Sequence, residues 1–220
     1  MLILAIETTG RDGSIALVRD GVVLALEAVS GGTYSAKLVP LISAMLTRTG
    51  VRPDEIDAYA AASGPGSFTG LRVGLSTIKG LAEVMPRPIA AISMLEAMAY
   101  ASGQQGRILA ALDAQRHQIF LGEYERTGED IPLLSESLLT EAEFEAAMRG
   151  AGNAQIVTPD AAIAALVVRA GIKFQQIPAP QADVIARMAA DKVKRGQTVS
   201  PESLDANYIR RSDAEIFAKK

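Results

Sequence analysis

The sequence predicts an α/β protein made of two lobes of similar plan, and three observations carry that expectation. Two apolar runs of like pattern, "LILAIE" at 2–7 and "RILAALD" at 107–113, each end in an acidic residue. Each is followed by two more strand-like runs and then by a helical pattern. Between the halves, "YASGQQG" at 100–106 is small and polar and suits a hinge.

Leu2 to Ile6 is continuously apolar, as expected of a central strand buried on both faces. "GSIALVRDGVVLALEAV" follows, two apolar runs joined by Asp20-Gly21, a dipeptide suited to a tight primed turn. Residues 35–49 place Leu38, Leu41, Ile42, Met45 and Leu46 at helical spacing. Pro40 lies just past the first turn if Ser35 is the cap, which predicts a kink there. "AYAAAS" (58–63) reads as a strand, "GPGSFTGLRVG" (64–74) as a glycine loop opening a helix to about Glu83, and "RPIAAIS" as another strand. A helix through "MLEAMAYAS" closes the first half.

In the second half "HQIFLGEYE" and "IPLLSESLL" supply two strands after "RILAALDA", and Thr140 with Glu143 forms a capping box for the next helix. Short strands and helices then alternate up to a helix across 180–195. Identity between the halves is slight, so the repetition is one of pattern. The expected lobes are 1–102 and 103–220.

With 220 residues the chain can bury a substantial core, and 49% hydrophobic with 21% charged residues is ordinary soluble composition. No run approaches the ~20 apolar residues that span a bilayer, and the start lacks the pattern of an export signal. The absence of cysteine excludes disulfides, thiolate catalysis and cysteine-based zinc sites. A net charge of −3 argues against a dedicated nucleic-acid binder. A cytoplasmic protein with no membrane partner is expected.

This plan resembles the ribonuclease-H-like lobes of actin-like ATPases, the ASKHA fold. There, acids at the two first-strand tips hold a metal–nucleotide complex, and Glu7, with Thr8 beside it, and Asp113 occupy the equivalent places. A solvated acid at a strand end is the competing reading of each.

Several stretches agree on one family. "ILAIETT", "GPGSFTGLRVGLSTIKGLA" (64–82), "DAQRHQIF" (113–120) and "NYIRRSDAE" (207–215) fall in the order and approximate spacing of the bacterial TsaB (YeaZ) proteins. The chain is identified as resembling that family, densely over 1–125, thinly to 200, and again at the C-terminus. The resemblance implies a relation to TsaD, which transfers threonylcarbamoyl to an adenosine beside the tRNA anticodon. It implies that a chain of this kind is the non-catalytic partner of TsaD, with the ATPase TsaE joining the pair, a homodimer when alone, and tRNA contacted only indirectly. Two departures weaken nucleotide binding: Glu7 stands where aspartate is usual, and Gln115 where arginine is usual.

The residues test the catalytic part independently. TsaD-like proteins hold a metal through an HxxxH pair, whose i, i+4 spacing puts two imidazoles on one helical face. Setting Met94 on the family's "HMEGH" places Ser93 and Ala97 at the two histidine positions. The only histidine of the chain, His117, lies far along it, so no metal and no cofactor are expected. The superfamily's metallopeptidase label fares no better: no HExxH occurs, and a lone base without cysteine is poor equipment for hydrolysis.

Three readings of the glycine loop compete. Backbone N–H groups of Ser67 to Gly70 at a helix N-terminus bind a phosphate, although the P-loop lysine is missing. Alternatively the glycines serve only the fold, or they form a docking surface. Gly66, Gly70 and Gly74 recur every fourth residue, with Thr77 extending the stripe, while Leu71, Leu75, Ile78 and Ala82 form a separate apolar face. Each helix glycine costs about 1 kcal/mol relative to alanine, so the spacing favours docking combined with the fold, the small stripe looking sideways.

The resemblance implies pairing through this helix and the one at 35–49. The expected interface is Phe68, Gly70, Arg72, Gly74 and Thr77, with Leu38 and Leu41, and Phe68 and Arg72 as anchors. Phe68 also reads as an ordinary core residue. Lys192, Lys194, Arg195, Arg210, Arg211, Lys219 and Lys220 give the C-terminal end a basic bias, which suits either tRNA backbone or a solvated helix end. The enzyme-class alternative is an ATP-hydrolysing or kinase-like member of the fold acting through Glu7 and Asp113.

Overall fold

A computed structural model describes residues 1–30 and 32–209, which divide into two compact units. The first comprises Met1–Met94 and Pro180–Asn207. It opens with β1 (Leu2–Glu7), β2 (Gly13–Arg19) and β3 (Val22–Val29), an antiparallel series whose second turn holds Asp20 and Gly21 at φ 50° and 79°. Positive φ at both central residues is what a primed hairpin turn needs. The helix α1 (Tyr34–Thr49) follows, then β4 (Ala58–Gly64), α2 (Phe68–Val84) and β5 (Ile89–Ser93).

The sheet order is β3-β2-β1-β4-β5, with β4 and β5 running parallel to β1. Every residue of β1 is buried, as a strand covered on both faces must be. Leu2, Leu4 and Ile6 face a core shared with Leu38, Ile42 and Met45 of α1 and with Leu75, Ile78 and Ala82 of α2. Strand periodicity turns Ile3 and Ala5 the other way. The helix α6 (Ala182–Lys194) packs on β1, β2, β4 and β5 and buries Ala182, Ile185, Ala186 and Ala189 at helical spacing. Its first amide donates to Ser14 Oγ at 2.8 Å.

The second unit begins with most of α3 (Met94–Ala101) and continues through β6 (Gly106–Asp113), β7 (Gln118–Arg126), β8 (Leu133–Thr140), α4 (Glu141–Gly150), β9 (Gln155–Thr158), α5 (Ala161–Arg169) and β10 (Phe174–Gln176). Its sheet order is β10-β9-β6-β7-β8, the same plan as the first: three antiparallel strands, then two parallel to the first of them. Leu109 and Ala111 pack with α4 and α5, while Ile108 and Ala110 pack with Leu95, Met98 and Ala99 of α3. The echo in the sequence is thus a repeat of topology. Thr140 Oγ1 accepts from Glu143 N–H, and the Glu143 carboxylate accepts from Thr140 N–H at 2.8 Å, which completes the capping box.

Two details differ from expectation. The boundary expected at 102/103 differs from the observed division, in which the chain passes between units at Met94/Leu95 and returns at Pro180. The reason is α6, whose apolar face belongs to the first sheet although its sequence follows the second. The cap of α1 is Thr33, without a side-chain bond, rather than Ser35, so Pro40 lies deeper in the helix than expected. Among the described residues no helix is long and apolar enough to cross a membrane.

Candidate functional site

In the first unit the glycine loop lies against the turn that follows β1. Gly64 adopts φ 105°, a region side chains avoid, and the Gly64–Pro65 bond is cis. Ser67 N–H donates to Thr9 O at 2.7 Å, and Ser67 Oγ caps α2 by accepting from Gly70 N–H at 3.3 Å. Thr8 Oγ1 donates back to Gly70 O at 2.8 Å. Two of the four amides considered for phosphate are therefore already committed within the chain. The loop serves first as a clasp between α2 and the tip of β1.

The helix glycines show the same thing. A methyl group on Gly70 would fall on the Thr8 carbonyl and 3.3 Å from the Tyr34 ring; one on Gly74 would fall on Thr8 Oγ1 and 3.5 Å from Ile6. Both positions are buried, so the small stripe faces the protein's own sheet rather than sideways. Leu38 is 1% exposed and belongs to the core. Gly70 and Gly74, expected on a stripe looking sideways, serve the fold, because a helix this close to a strand end has no room for Cβ atoms, and Leu38 serves the core of the same unit.

What remains outside is different. Phe68 is 42% exposed, and the Arg72 guanidinium sits 3.8 Å from its ring centroid, a cation–π pair at i, i+4 on the first turn of α2. Phe68 is therefore not an ordinary core phenylalanine. The outer face of α2 continues through Ser76 and Gly80, and α1 presents Val39, Pro40 and Ser43 to solvent. Leu41 and Thr77 are half-buried, the Thr77 hydroxyl donating to Val73 O at 2.8 Å.

Gly80 was missed by sequence reasoning, which followed the four-residue stripe. It is exposed, and a methyl group there would meet nothing within 4 Å. The helix carries its cost of about 1 kcal/mol without a return from any described residue. Tyr34 was missed as well. Its hydroxyl donates to the carbonyls of Gly10 and Arg11 at 3.1 Å each, its ring touches the space beside Gly70, and burial together with the charges of Glu7 and Asp12 pushes it up to about 12.

The two acids at the strand tips fare differently. Glu7 is 5% exposed, and its Oε1 accepts from both the amide and the hydroxyl of Thr9 at 2.6 Å. Burial raises its carboxyl above the ordinary value, against the bonds from Thr9 and Gly10. Thr8, also buried, is held by Gly70. These residues act as parts of the clasp.

Asp113, in the second unit, is exposed, and accepts from the Gln115 amide at 2.7 Å and its side chain at 2.9 Å. Its own N–H donates to Asp160 Oδ2 at 2.7 Å, and burial with the neighbouring Asp113 charge raises Asp160. Gln115, Arg116 and His117 all adopt left-handed backbone, φ 60°, 56° and 59°. His117 Nδ1 lies 3.2 Å from Glu141.

Ser93 ends β5, and Ala97 is buried in α3, so the two positions aligned with the histidine pair carry no imidazole. Lys192 Nζ donates to Ala91 O at 3.4 Å and Lys194 lies 3.6 Å from Asp191, uses internal to the first unit. Arg210, Arg211, Lys219 and Lys220 lie outside the described residues, as does most of "NYIRRSDAE".

Comparison with known proteins gives a consistent picture. The family whose sequence profile matches, over residues 28–204, is described as TsaD, tRNA N6-adenosine threonylcarbamoyltransferase. The tRNA threonylcarbamoyladenosine biosynthesis protein TsaB of Escherichia coli is 30% identical, across 97% of this chain and 96% of its own length. The protein of the same name from Bacillus subtilis is 36% identical over 57% of this chain and 56% of its own. A crystal structure from Pseudomonas aeruginosa, described as similar to the peptidase YeaZ, superposes with a TM-score of 0.78 at 25% identity, covering 95% and 99% of the two chains.

Proposed function

The chain belongs to the TsaB (YeaZ) family of the TsaD-like superfamily, and from that premise we propose that it is the non-catalytic partner of TsaD in threonylcarbamoyl modification of the adenosine next to the tRNA anticodon. The observation that carries this reading is the outer face of α1 and α2. It pairs an exposed Phe68–Arg72 anchor with a helix glycine, Gly80, whose missing side chain no described residue requires. An aromatic and an arginine beside a surface of small residues is the composition of a helix-docking interface.

The partner acts on TsaD by conformation. A docked α1–α2 face shifts TsaD toward the state it binds better, and the chemistry stays with TsaD. The clasp around Glu7 supports the same reading, because a carboxylate that accepts from its own turn is poorly placed to hold a metal–nucleotide complex. TsaE joins the assembled pair, tRNA is contacted indirectly, and the isolated chain self-associates.

Size-exclusion chromatography with light scattering, on this chain mixed with TsaD from the same organism, tests the reading. Wild type should form a heterodimer and support threonylcarbamoyl transfer to tRNA. Phe68→Ala with Arg72→Glu, removing about 2 kcal/mol or more of anchor, should weaken the pair by roughly thirtyfold. Glu7→Gln with Asp113→Asn should leave transfer intact. A wild type that ignores TsaD, or transfer abolished by the acid variant with pairing unchanged, overturns it.

A further inference from the structure

The outer face of α1 and α2 is charged as well as small. The chain as a whole carries −3, with 22 Lys and Arg against 25 Asp and Glu. The two helices invert that balance: Lys37, Arg48, Arg72 and Lys79 stand against Glu83 alone, a net of +3. Neither helix has an acid in its first turn, where the helix dipole ordinarily favours one.

Two of the four cations are used inside the unit. Arg48 pairs with Glu27 on β3, and half-buried Lys79 adds its charge to the Ser200 bond that lowers the Glu202 carboxyl. The other two are exposed, and among the described residues neither pairs with a carboxylate. Arg72 lies over the Phe68 ring, which holds its guanidinium in place without neutralising it. Lys37 lines a groove of about 500 Å³ whose walls include Val29, Pro40, Leu41 and Ala44.

Both of these cations sit at one end of the unit. Tyr34 opens α1, and its hydroxyl donates to the carbonyls of Gly10 and Arg11; Ser67 caps α2, and its N–H donates to Thr9 O. The turn after β1 therefore gathers both helix starts and brings Arg11, also exposed, to the same end. Of the acids in and before that turn, Glu7 is closed away from water and Asp12 alone is exposed.

We infer that the surface docking on this face is acidic where it meets that end. Its carboxylates approach Arg72, Lys37 and Arg11, and its apolar side chains take the small middle of α1 and α2. The inference rests on the reading of this face as the one that docks TsaD, and it names the chemistry of what docks. A nucleic acid is the other polyanion a basic end attracts. It is disfavoured here because the cations are few and set among Phe68, Val39, Pro40 and Leu41, which phosphates cannot use. Charges at the rim of an interface act mainly on encounter: the field steers an oppositely charged partner, while an exposed pair adds little to the final affinity.

Stopped-flow association with TsaD from the same organism, followed across ionic strength, tests this. The wild-type kon should fall about tenfold or more between about 0.05 M and 0.5 M salt, as screening shortens the field. Lys37→Glu should slow association about threefold or more at low salt, with koff nearly unchanged and the difference lost at high salt. Arg19→Glu makes the same charge change at the opposite end of the sheet, where Arg19 pairs with Leu2, and should leave kon within about twofold. Binding to TsaD at a rate indifferent to salt and to Lys37→Glu overturns the acidic partner and leaves the docking reading standing. A kon slowed equally by Arg19→Glu overturns it as well, because net charge rather than this end would then be steering. A wild type that forms no complex with TsaD at any salt overturns both. Binding of unmodified tRNA by the isolated chain, lost in Lys37→Glu, would assign the face to nucleic acid and overturns the proposal. If Lys37→Glu fails to fold by circular dichroism, the salt dependence of the wild type still decides.

Discussion

Gly74→Ala and Gly80→Ala place the same methyl group six residues apart in α2 and should move stability in opposite directions. At Gly80 the added Cβ meets nothing within 4 Å, so the chain gains only the propensity difference, about 1 kcal/mol. For a chain of this size that is about 2–4 °C in Tm. At Gly74 the same gain is opposed twice. The Cβ overlaps Thr8 Oγ1, and relief by moving that hydroxyl sacrifices its 2.8 Å bond to Gly70 O, about 0.5–1.5 kcal/mol. Overpacking against β1 adds about 1–3 kcal/mol. The net expectation is a loss of about 1–3 kcal/mol, read as a lower urea midpoint at unchanged m-value. Thr8→Ala in the Gly74→Ala background should recover part of the loss, because the pair is in contact and their effects couple. If Gly74→Ala matches Gly80→Ala, or Thr8→Ala fails to couple to it, the close approach of α2 to the tip of β1 is refuted.

Other outcomes follow from single groups. The Tyr59 hydroxyl is fully buried and has no partner among the described residues, so Tyr59→Phe should be neutral or stabilising by up to about 1 kcal/mol in the same urea titration. A clearly lowered urea midpoint would mean that the hydroxyl is satisfied. Glu7 titrates above its ordinary 4.5 because burial disfavours its charge. Between the unfolded value and the raised folded one the native state binds more protons, so this group makes stability fall as pH rises through that window. Glu7→Gln keeps an acceptor for Thr9 and should flatten that segment of the stability–pH curve; an unchanged slope would refute the burial argument. Gly80→Leu should leave the isolated chain folded while weakening its pairing with TsaD at least tenfold, measured by isothermal calorimetry.

Strand and helix identities were legible because period-2 and period-3.6 patterns are local properties, and most elements lie where "LILAIE", "RDGVV" or the Thr140–Glu143 box placed them. The lobe boundary was not legible, since nothing in Ala182–Lys194 says which sheet its apolar face will find. The glycine stripe failed for a related reason. A glycine every fourth residue signals a close approach, but to what depends on tertiary packing, and here the neighbour is Thr8, sixty-odd positions earlier. Gly80, outside the stripe, was not legible either, because only a structure shows that it has open space around it among the described residues.

The two units share strand order and an acid at the end of the first strand, yet they use that acid in opposite ways. In the first, the loop after β4 folds back, and Ser67 N–H and Gly70 O bond to the turn after β1, closing Glu7 away from water. In the second, the segment after β9 contributes only Asp160, whose carboxylate accepts the Asp113 amide and leaves Asp113 in solvent. Topology therefore supplies an acid at each tip without fixing its chemistry; the connection after the fourth strand of each unit does that. The glycine loop is the longer and tighter of those connections, and in this chain its backbone closeness goes into clasping β1. That leaves the outer faces of α1 and α2 as a surface of the first unit that its own packing does not consume.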